Sequence, residues 1–256
     1  MPHPALETRG LTIRFGGHVA VDGVSAAFHA GTLTAIVGPN GAGKTTYFNL
    51  ISGQLPASSG NVLLDGVEIT KLGAAARAKR GIGRAFQLTN LFPNLTVHEN
   101  VRLAVQARAG GGANLLSRWS SRRDWIDEAD RFIAAANLTD KRDTPAVALP
   151  HGDKRKLEVA IMMALEPHVF MFDEPTAGMS VDDVPVILDL IKALKDEGSK
   201  TILLVEHKMD VVKSLADRII VLHNGQLVAD GEPAAVIASP IVQQAYLGIA
   251  PEAEAA

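Results

Sequence analysis

Eight consecutive residues restrict this chain more than any other feature: Gly38-Pro39-Asn40-Gly41-Ala42-Gly43-Lys44-Thr45. They fit the pattern G-x-x-x-x-G-K-[ST] at every fixed position. An apolar run, Thr34-Ala35-Ile36-Val37, precedes them, and a helical stretch, Thr46 to Ile51, follows. Strand, glycine-rich loop and helix in that order make a phosphate-binding loop. The glycines let the backbone curl so that its N–H groups converge on an anion, and the helix adds its positive N-terminal end. Asn40, Gly41, Ala42, Gly43 and Thr46 form the cradle. Lys44 brings a full charge to the β- and γ-phosphates, and the Thr45 hydroxyl is a candidate Mg²⁺ ligand.

Such a site needs an acidic residue at the end of a buried strand. Val169-Phe170-Met171-Phe172-Asp173-Glu174 supplies it. Asp173 is the candidate to hold Mg²⁺ through water, and Glu174 the candidate general base for an attacking water.

The rest of the chain sets the frame. Leu11, Ile13 and Phe15 alternate with polar residues, a strand period, and Asn61 to Gly66 ends in a hairpin-type Asp-Gly turn. Val97 to Ala107 and Trp125 to Ala136 have helical spacing, with a glycine-rich stretch, Ala109 to Asn114, between them that reads as a flexible loop. This middle part reads as a helical lobe inserted into a sheet domain. Afterwards strands (169–172, 202–205, 219–222, 227–229) alternate with helices (154–165, 184–195, 209–215), which indicates βαβ units and a mostly parallel sheet. The longest apolar run, Val159 to Leu165, has seven residues, against about 20 for a membrane-spanning helix. Met1-Pro2-His3-Pro4-Ala5 has no basic cap or apolar h-region, so the expectation is a chain that neither spans a bilayer nor is secreted. With no cysteine, a disulfide scaffold and a Cys-ligated metal centre are excluded, and a net charge of −3 argues against a polyanion-wrapping protein.

Many families share the phosphate loop. Here Gly81-Ile82-Gly83-Arg84-Ala85-Phe86-Gln87, Leu91-Phe92-Pro93-Asn94-Leu95-Thr96-Val97, Val205-Glu206-His207 and Gln244-Ala245-Tyr246-Leu247-Gly248 make the chain resemble the ATP-binding cassette (ABC) family from about Leu6 to Gly248. Within that family it looks like the ATPase subunits of branched-chain amino acid importers. The resemblance implies an α/β fold: a P-loop NTPase core with a mostly parallel sheet, an N-terminal antiparallel β subdomain and an inserted helical subdomain. It divides the chain into 1–87 (β subdomain and P-loop part of the core), 88–158 (helical subdomain with the signature motif), 159–235 (second half of the core) and 236–256 (C-terminal helix and tail). Phe15 would stack on adenine; alone it equally suits a buried strand position. Gln87 would reach Mg²⁺ and the attacking water and couple the γ-phosphate to the helical lobe. His207 would contact the γ-phosphate.

Two departures from the family pattern stand out. The usual Leu-Ser-Gly-Gly-Gln signature here reads Leu149-Pro150-His151-Gly152-Asp153. Pro150 removes a serine hydroxyl that in the family binds ATP held by the opposite subunit, and it also lacks an N–H. His151 is the candidate replacement donor, and Asp153 the candidate cap of a helix starting near it. Lys154, Arg155 and Lys156 then place positive charge at the positive end of that helix, which suits either a nearby anion or a solvated basic turn. The second departure is Ala177-Gly178-Met179-Ser180 in place of Ser-Ala-Leu-Asp, with Asp182 and Asp183 following; this loop is assigned to communication between subunits.

The family likeness implies ATP and Mg²⁺, and a second ATPase subunit (a paralogue or another copy) whose residues Pro150, His151, Gly152 and Asp153 complete the site. It implies transmembrane permease subunits docking near Gln87 to Leu95, with Leu91, Phe92 and Leu95 as an apolar floor or as simple lobe packing. An external substrate-binding protein would be an indirect partner, and no nucleic acid is expected. The chain would sit peripherally on the cytoplasmic face of the inner membrane and be soluble when isolated. The competing readings are a soluble non-transport ABC ATPase, an importer ATPase for another amino acid, an amide or urea, and a module that binds ATP without hydrolysing it.

Overall fold

Local sequence and long-range pairing divide the chain into elements that follow the expected alternation. The computed structural model describes residues 3–85, 91–110, 123–240 and 242–243. In chain order its strands are β1 (Leu6–Phe15), β2 (His18–Phe28), β3 (Leu33–Val37), β4 (Ser59–Leu64), β5 (Val67–Glu68), β6 (Ile82–Ala85), β7 (Val169–Asp173), β8 (Thr201–Val205), β9 (Arg218–His223) and β10 (Gln226–Gly231). Its α-helices are α1 (Lys44–Ser52), α2 (Ala74–Ala78), α3 (Val97–Arg108), α4 (Arg123–Ala135), α5 (His151–Leu165), α6 (Val184–Asp196), α7 (Met209–Leu215) and α8 (Pro233–Ala238).

Two sheets result. One is antiparallel, in the order β2-β1-β4-β5, and the Asp-Gly turn at 65–66 joins its last two strands with both residues at positive φ. The other runs β10-β9-β3-β8-β7-β6, parallel except for the edge strand β10. The central strands are apolar without alternation because both of their faces are covered. In β7, Phe170 and Phe172 face a core shared with α5, α6 and the helical lobe. Val169 and Met171 face the other way, against α1 and the antiparallel sheet. In β8, Ile202 and Leu204 divide from Leu203 and Val205 in the same manner.

The helical lobe is not cored separately. Val97, Val101, Trp125, Ala129 and Ile133 belong to the same buried cluster as Phe170, Phe172 and Leu204. Helix α3 starts where it does because Thr96 and Glu99 form a reciprocal capping box, which satisfies two otherwise orphaned N–H groups. Of the expected segment boundaries, 158/159 falls within α5 and 235/236 within α8. Gln87, Trp119, the glycine-rich stretch beyond Gly110 and the motif from Gln244 to Gly248 lie outside the described residues.

Candidate nucleotide-binding site

The strand–loop–helix unit forms as expected, and its chain path shows why one glycine is needed. Gly43 has φ +95°, and a Cβ there would lie 2.4 Å from the Ala20 carbonyl. The loop therefore passes against β2 with no room for a side chain and turns into α1 in a left-handed conformation. The N–H groups of Lys44, Thr45 and Thr46 open the first turn of α1, where no preceding carbonyl can take them. Lys44 Nζ donates to the carbonyls of Gly38 (2.7 Å) and Pro39 (2.9 Å). Burial pushes its pKa down, with Glu174 and Asp173 opposing.

A cleft of 420 Å³ gathers Phe15, His18, Ala20, Asn40, Gly41, Ala42, Gly43, Lys44, Thr45, Thr46, Glu174 and His207. The strand-derived aromatic, residues 40–46 of the phosphate loop and first helical turn, the acidic residue and the histidine thus share one cleft. Phe15 is 50% exposed, so the strand alternation fails at it. Register shifts between Leu11 and Ile13 and between Ile13 and Arg14 break the period, and Phe15 ends on the hairpin facing the cleft instead of joining Leu11 and Ile13 in the core. His18 was not foreseen. The signal was present, because the two-residue turn Gly16-Gly17 makes His18 the cross-strand partner of Phe15. We expect Phe15→Ala to weaken nucleotide binding about tenfold, the size of a lost aromatic stacking contact; fluorescence titration with a nucleotide analogue measures it, and unchanged affinity refutes the stacking role.

Glu174 and His207 are joined directly, His207 Nε2 to Glu174 Oε1 at 2.7 Å. Glu174 has φ +51° and donates its N–H to the Val205 carbonyl at 2.9 Å. A non-glycine residue held this way costs about 1–3 kcal/mol, and such residues cluster at functional sites. Glu206, a motif residue with no expected role of its own, sets the turn that carries His207. Its buried carboxylate accepts from Thr176 Oγ1 (2.5 Å) and from the N–H groups of His207 (2.8 Å) and Lys208 (3.2 Å).

Asp173, at the end of β7, does not line the cleft. It is buried and paired with Arg84, Nη2 to Oδ2 at 2.8 Å. Burial pushes its pKa up, and the Arg84 hydrogen bond and charge only partly oppose this. Arg84 also donates to Asn49 (2.6 Å) and Ser52 (2.9 Å) of α1 and lies over the Phe48 ring. This arginine, absent from the expected site, locks β6, α1 and β7 together. The Thr45 hydroxyl and the Asp173 carboxylate are hard oxygen donors that fit Mg²⁺. Among the described residues no group of three or more His, Asp or Glu converges to hold a metal, and Mg²⁺ in phosphoryl-transfer sites draws most of its ligands from phosphate and water.

Pro150, His151, Gly152 and Asp153 are not among the residues lining this cleft. Helix α5 begins earlier than expected, at His151, with Pro150 as its N-cap and no side-chain cap. Asp153 does not cap it. It lies in the first turn, buried, and pairs with Lys141 and Lys156. Two of the three basic residues have partners within the chain, Lys156 also pairing with Asp183 and Arg155 with Glu158. Burial works against the Lys156 ammonium, but its bonds to Asp183 and Asp153 prevail and leave its pKa raised. His151 is exposed. Leu91 packs onto the lobe core while Phe92 is exposed.

The family described as ABC transporter matches residues 21–177. Over 253 residues the chain is 37% identical to the high-affinity branched-chain amino acid transport ATP-binding protein BraF of Pseudomonas aeruginosa, covering 97% of this chain and 99% of that protein. It superposes on MJ1267, an ATP-binding cassette of an ABC transporter solved in its ADP conformation, with a TM-score of 0.81 and 30% identity over 97% of this chain and 100% of that one. It also superposes on the cassette MJ0796, solved as a dimer in a post-hydrolysis state with ADP and Pi, with a TM-score of 0.76 and 25% identity over 89% and 98% of the two chains.

Proposed function

This chain belongs to the ABC transporter family, and from that premise we propose that it is the ATP-hydrolysing subunit of an importer for branched-chain amino acids. The observation that carries the reading is the single cleft that holds Phe15, the phosphate loop, Glu174 and His207. The name of BraF supports the substrate class.

In this reading Phe15 stacks on the adenine ring, and residues 40–46 take the phosphates on backbone N–H groups. Lys44 exchanges the Gly38 and Pro39 carbonyls for phosphate oxygens. Thr45, Asp173 and Gln87 would hold Mg²⁺, which would supply charge neutralisation on the phosphates. Glu174 accepts a proton from the attacking water, and His207, already bonded to Glu174, holds that carboxylate in place and reaches toward the terminal phosphate. The first turn of α5, with His151 in place of the missing serine hydroxyl, completes the site of a second cassette; that the similar cassette MJ0796 is solved as a dimer supports the pairing of cassettes. Closure of the pair excludes water and drives partner permease subunits, to which an external binding protein delivers the substrate.

Among the described residues no helix is long and apolar enough to cross a membrane. We assign the transport path to the permease subunits and this chain to a peripheral place on the cytoplasmic face, a reading supported by its likeness to the transport ATP-binding protein BraF.

The test is reconstitution in vesicles with its permease subunits and second cassette, measuring ATP-dependent uptake of labelled leucine, isoleucine and valine. Accumulation that depends on ATP and is abolished by Lys44→Ala is expected. Accumulation of a different amino acid, an amide or urea in their place would overturn the substrate assignment.

A further inference from the structure

Outside the cleft, two segments far apart in sequence are fastened to each other within the chain. One is the first turn of α5. The other is the loop from Ala177 to Asp183 that follows the acidic pair. Lys156, buried, pairs with Asp183 and lies 3.3 Å from Asp153, which in turn pairs with Lys141. Asp183 Oδ2 accepts the Ser180 hydroxyl at 2.7 Å. A Cβ on Gly152 would lie 2.6 Å from that same Asp183 oxygen, so the helix backbone and the loop carboxylate are in contact. A Cβ on Gly178 would lie 3.3 Å from His151 Nε2, which puts the imidazole against the loop backbone. At the loop's tip Val181 is 88% exposed.

These contacts run in both directions. The helix gives a cation to the loop, and the loop gives a carboxylate to the helix backbone. The Ser180 hydroxyl donates its hydrogen bond to Asp183 of its own chain. Neither segment lines the cleft of this chain, yet His151 and Val181 are both exposed, one on each segment.

We propose that Lys156 and Asp183 are positioning residues that make the first turn of α5 and the 177–183 loop one rigid block, and that a second cassette docks against this block when it closes on nucleotide. This rests on the reading that the chain works as an ATP-closed pair. Three consequences follow from the geometry. Loosening the pair leaves the chain's own cleft untouched. It lets the first turn of α5 and the loop move independently, so ordering them falls on the association step. It therefore weakens dimerisation and spares nucleotide binding by the single chain.

Asp183→Asn is the primary variant, because it keeps the volume and the Ser180 contact and leaves Lys156 paired with Asp153. It is made in the Glu174→Gln background, where ATP is retained. Dimerisation is measured by sedimentation against ATP concentration, and binding of a fluorescent ATP analogue is measured at a concentration where the chain is monomeric. We expect dimerisation about tenfold weaker, in the range of coupling between contacting residues, with monomer affinity unchanged. Lys156→Met is expected to behave alike, the double variant to be no worse than the poorer single one, and Lys156→Arg to restore dimerisation. Equal dimerisation with and without Asp183→Asn overturns the inference, as does an equal loss of monomer nucleotide affinity, or additive losses in the double variant. Failure of the Glu174→Gln chain itself to dimerise with ATP instead overturns the paired-cassette reading beneath it.

Discussion

Glu174→Gln is expected to cut ATP turnover by about 10²–10⁴-fold, the usual contribution of a positioned general base, while nucleotide still binds. The substitution changes one atom on a side chain whose backbone is fixed by the Val205 carbonyl. Gln keeps the length needed to reach His207, so the 2.7 Å contact survives as a neutral hydrogen bond. What is lost is the capacity to take a proton from water. Bound ATP then persists, and the closed pair persists with it. Size-exclusion chromatography with ATP should show a species of twice 27.1 kDa, which disappears when ATP is replaced by ADP. Turnover within a few-fold of wild type would remove Glu174 from the role of base. A chain that stays monomeric at every ATP concentration would remove the sandwich model.

What could be read from sequence follows from how local each feature is. The phosphate loop is contiguous, and its glycines, lysine and flanking strand and helix carry their own geometry, so 38–52 was legible in full. The central strands were legible because burial on both faces leaves unbroken apolar runs. Phe15 was placed in the right cleft by family likeness, while its strand period pointed into the core; the register shifts in β1 arise from pairing with β2 and leave no mark on the alternation. Asp153 was misread as a cap because capping residues and first-turn acids look alike in sequence, and here Pro150 takes the N-cap position. The charges of 154–156 were visible but their partners were not. Lys141 lies 12 residues before Asp153, and Asp183 lies 27 after Lys156. Arg84 was hidden for the same reason, since Asn49 and Asp173 are 35 and 89 residues away.

That hidden arginine gives the largest stability effect. Arg84→Met removes one member of an ion pair whose side chains are 7% and 4% exposed, and orphaning a buried charge costs about 3–5 kcal/mol. At about 2–4 °C per kcal/mol for a chain of this size, the melting temperature should fall by on the order of 10 °C. The pH dependence identifies the cause. Burial already raises the folded-state pKa of Asp173, and the Arg84 hydrogen bond is the chief influence lowering it; without Arg84 it rises further above the unfolded value. A carboxyl whose pKa is raised by folding destabilises the fold where it must stay ionised, above that pKa, and the penalty lifts as pH falls through it and the folded protein binds a proton. The deficit of Arg84→Met against wild type should therefore be large at neutral pH and shrink toward acid, in nucleotide-free protein with EDTA. Arg84→Lys keeps the charge but lacks the planar fork that spans Asp173, Asn49 and Ser52, and should fall between the two. Adding Asp173→Asn to Arg84→Met removes the orphaned charge, so the double variant should lose less than the sum of the single losses, with no pH trend left. A deficit that is constant with pH, or a double variant that is simply additive, would show that Arg84 supports the fold by packing on Phe48 and α1 and not by holding the Asp173 carboxylate.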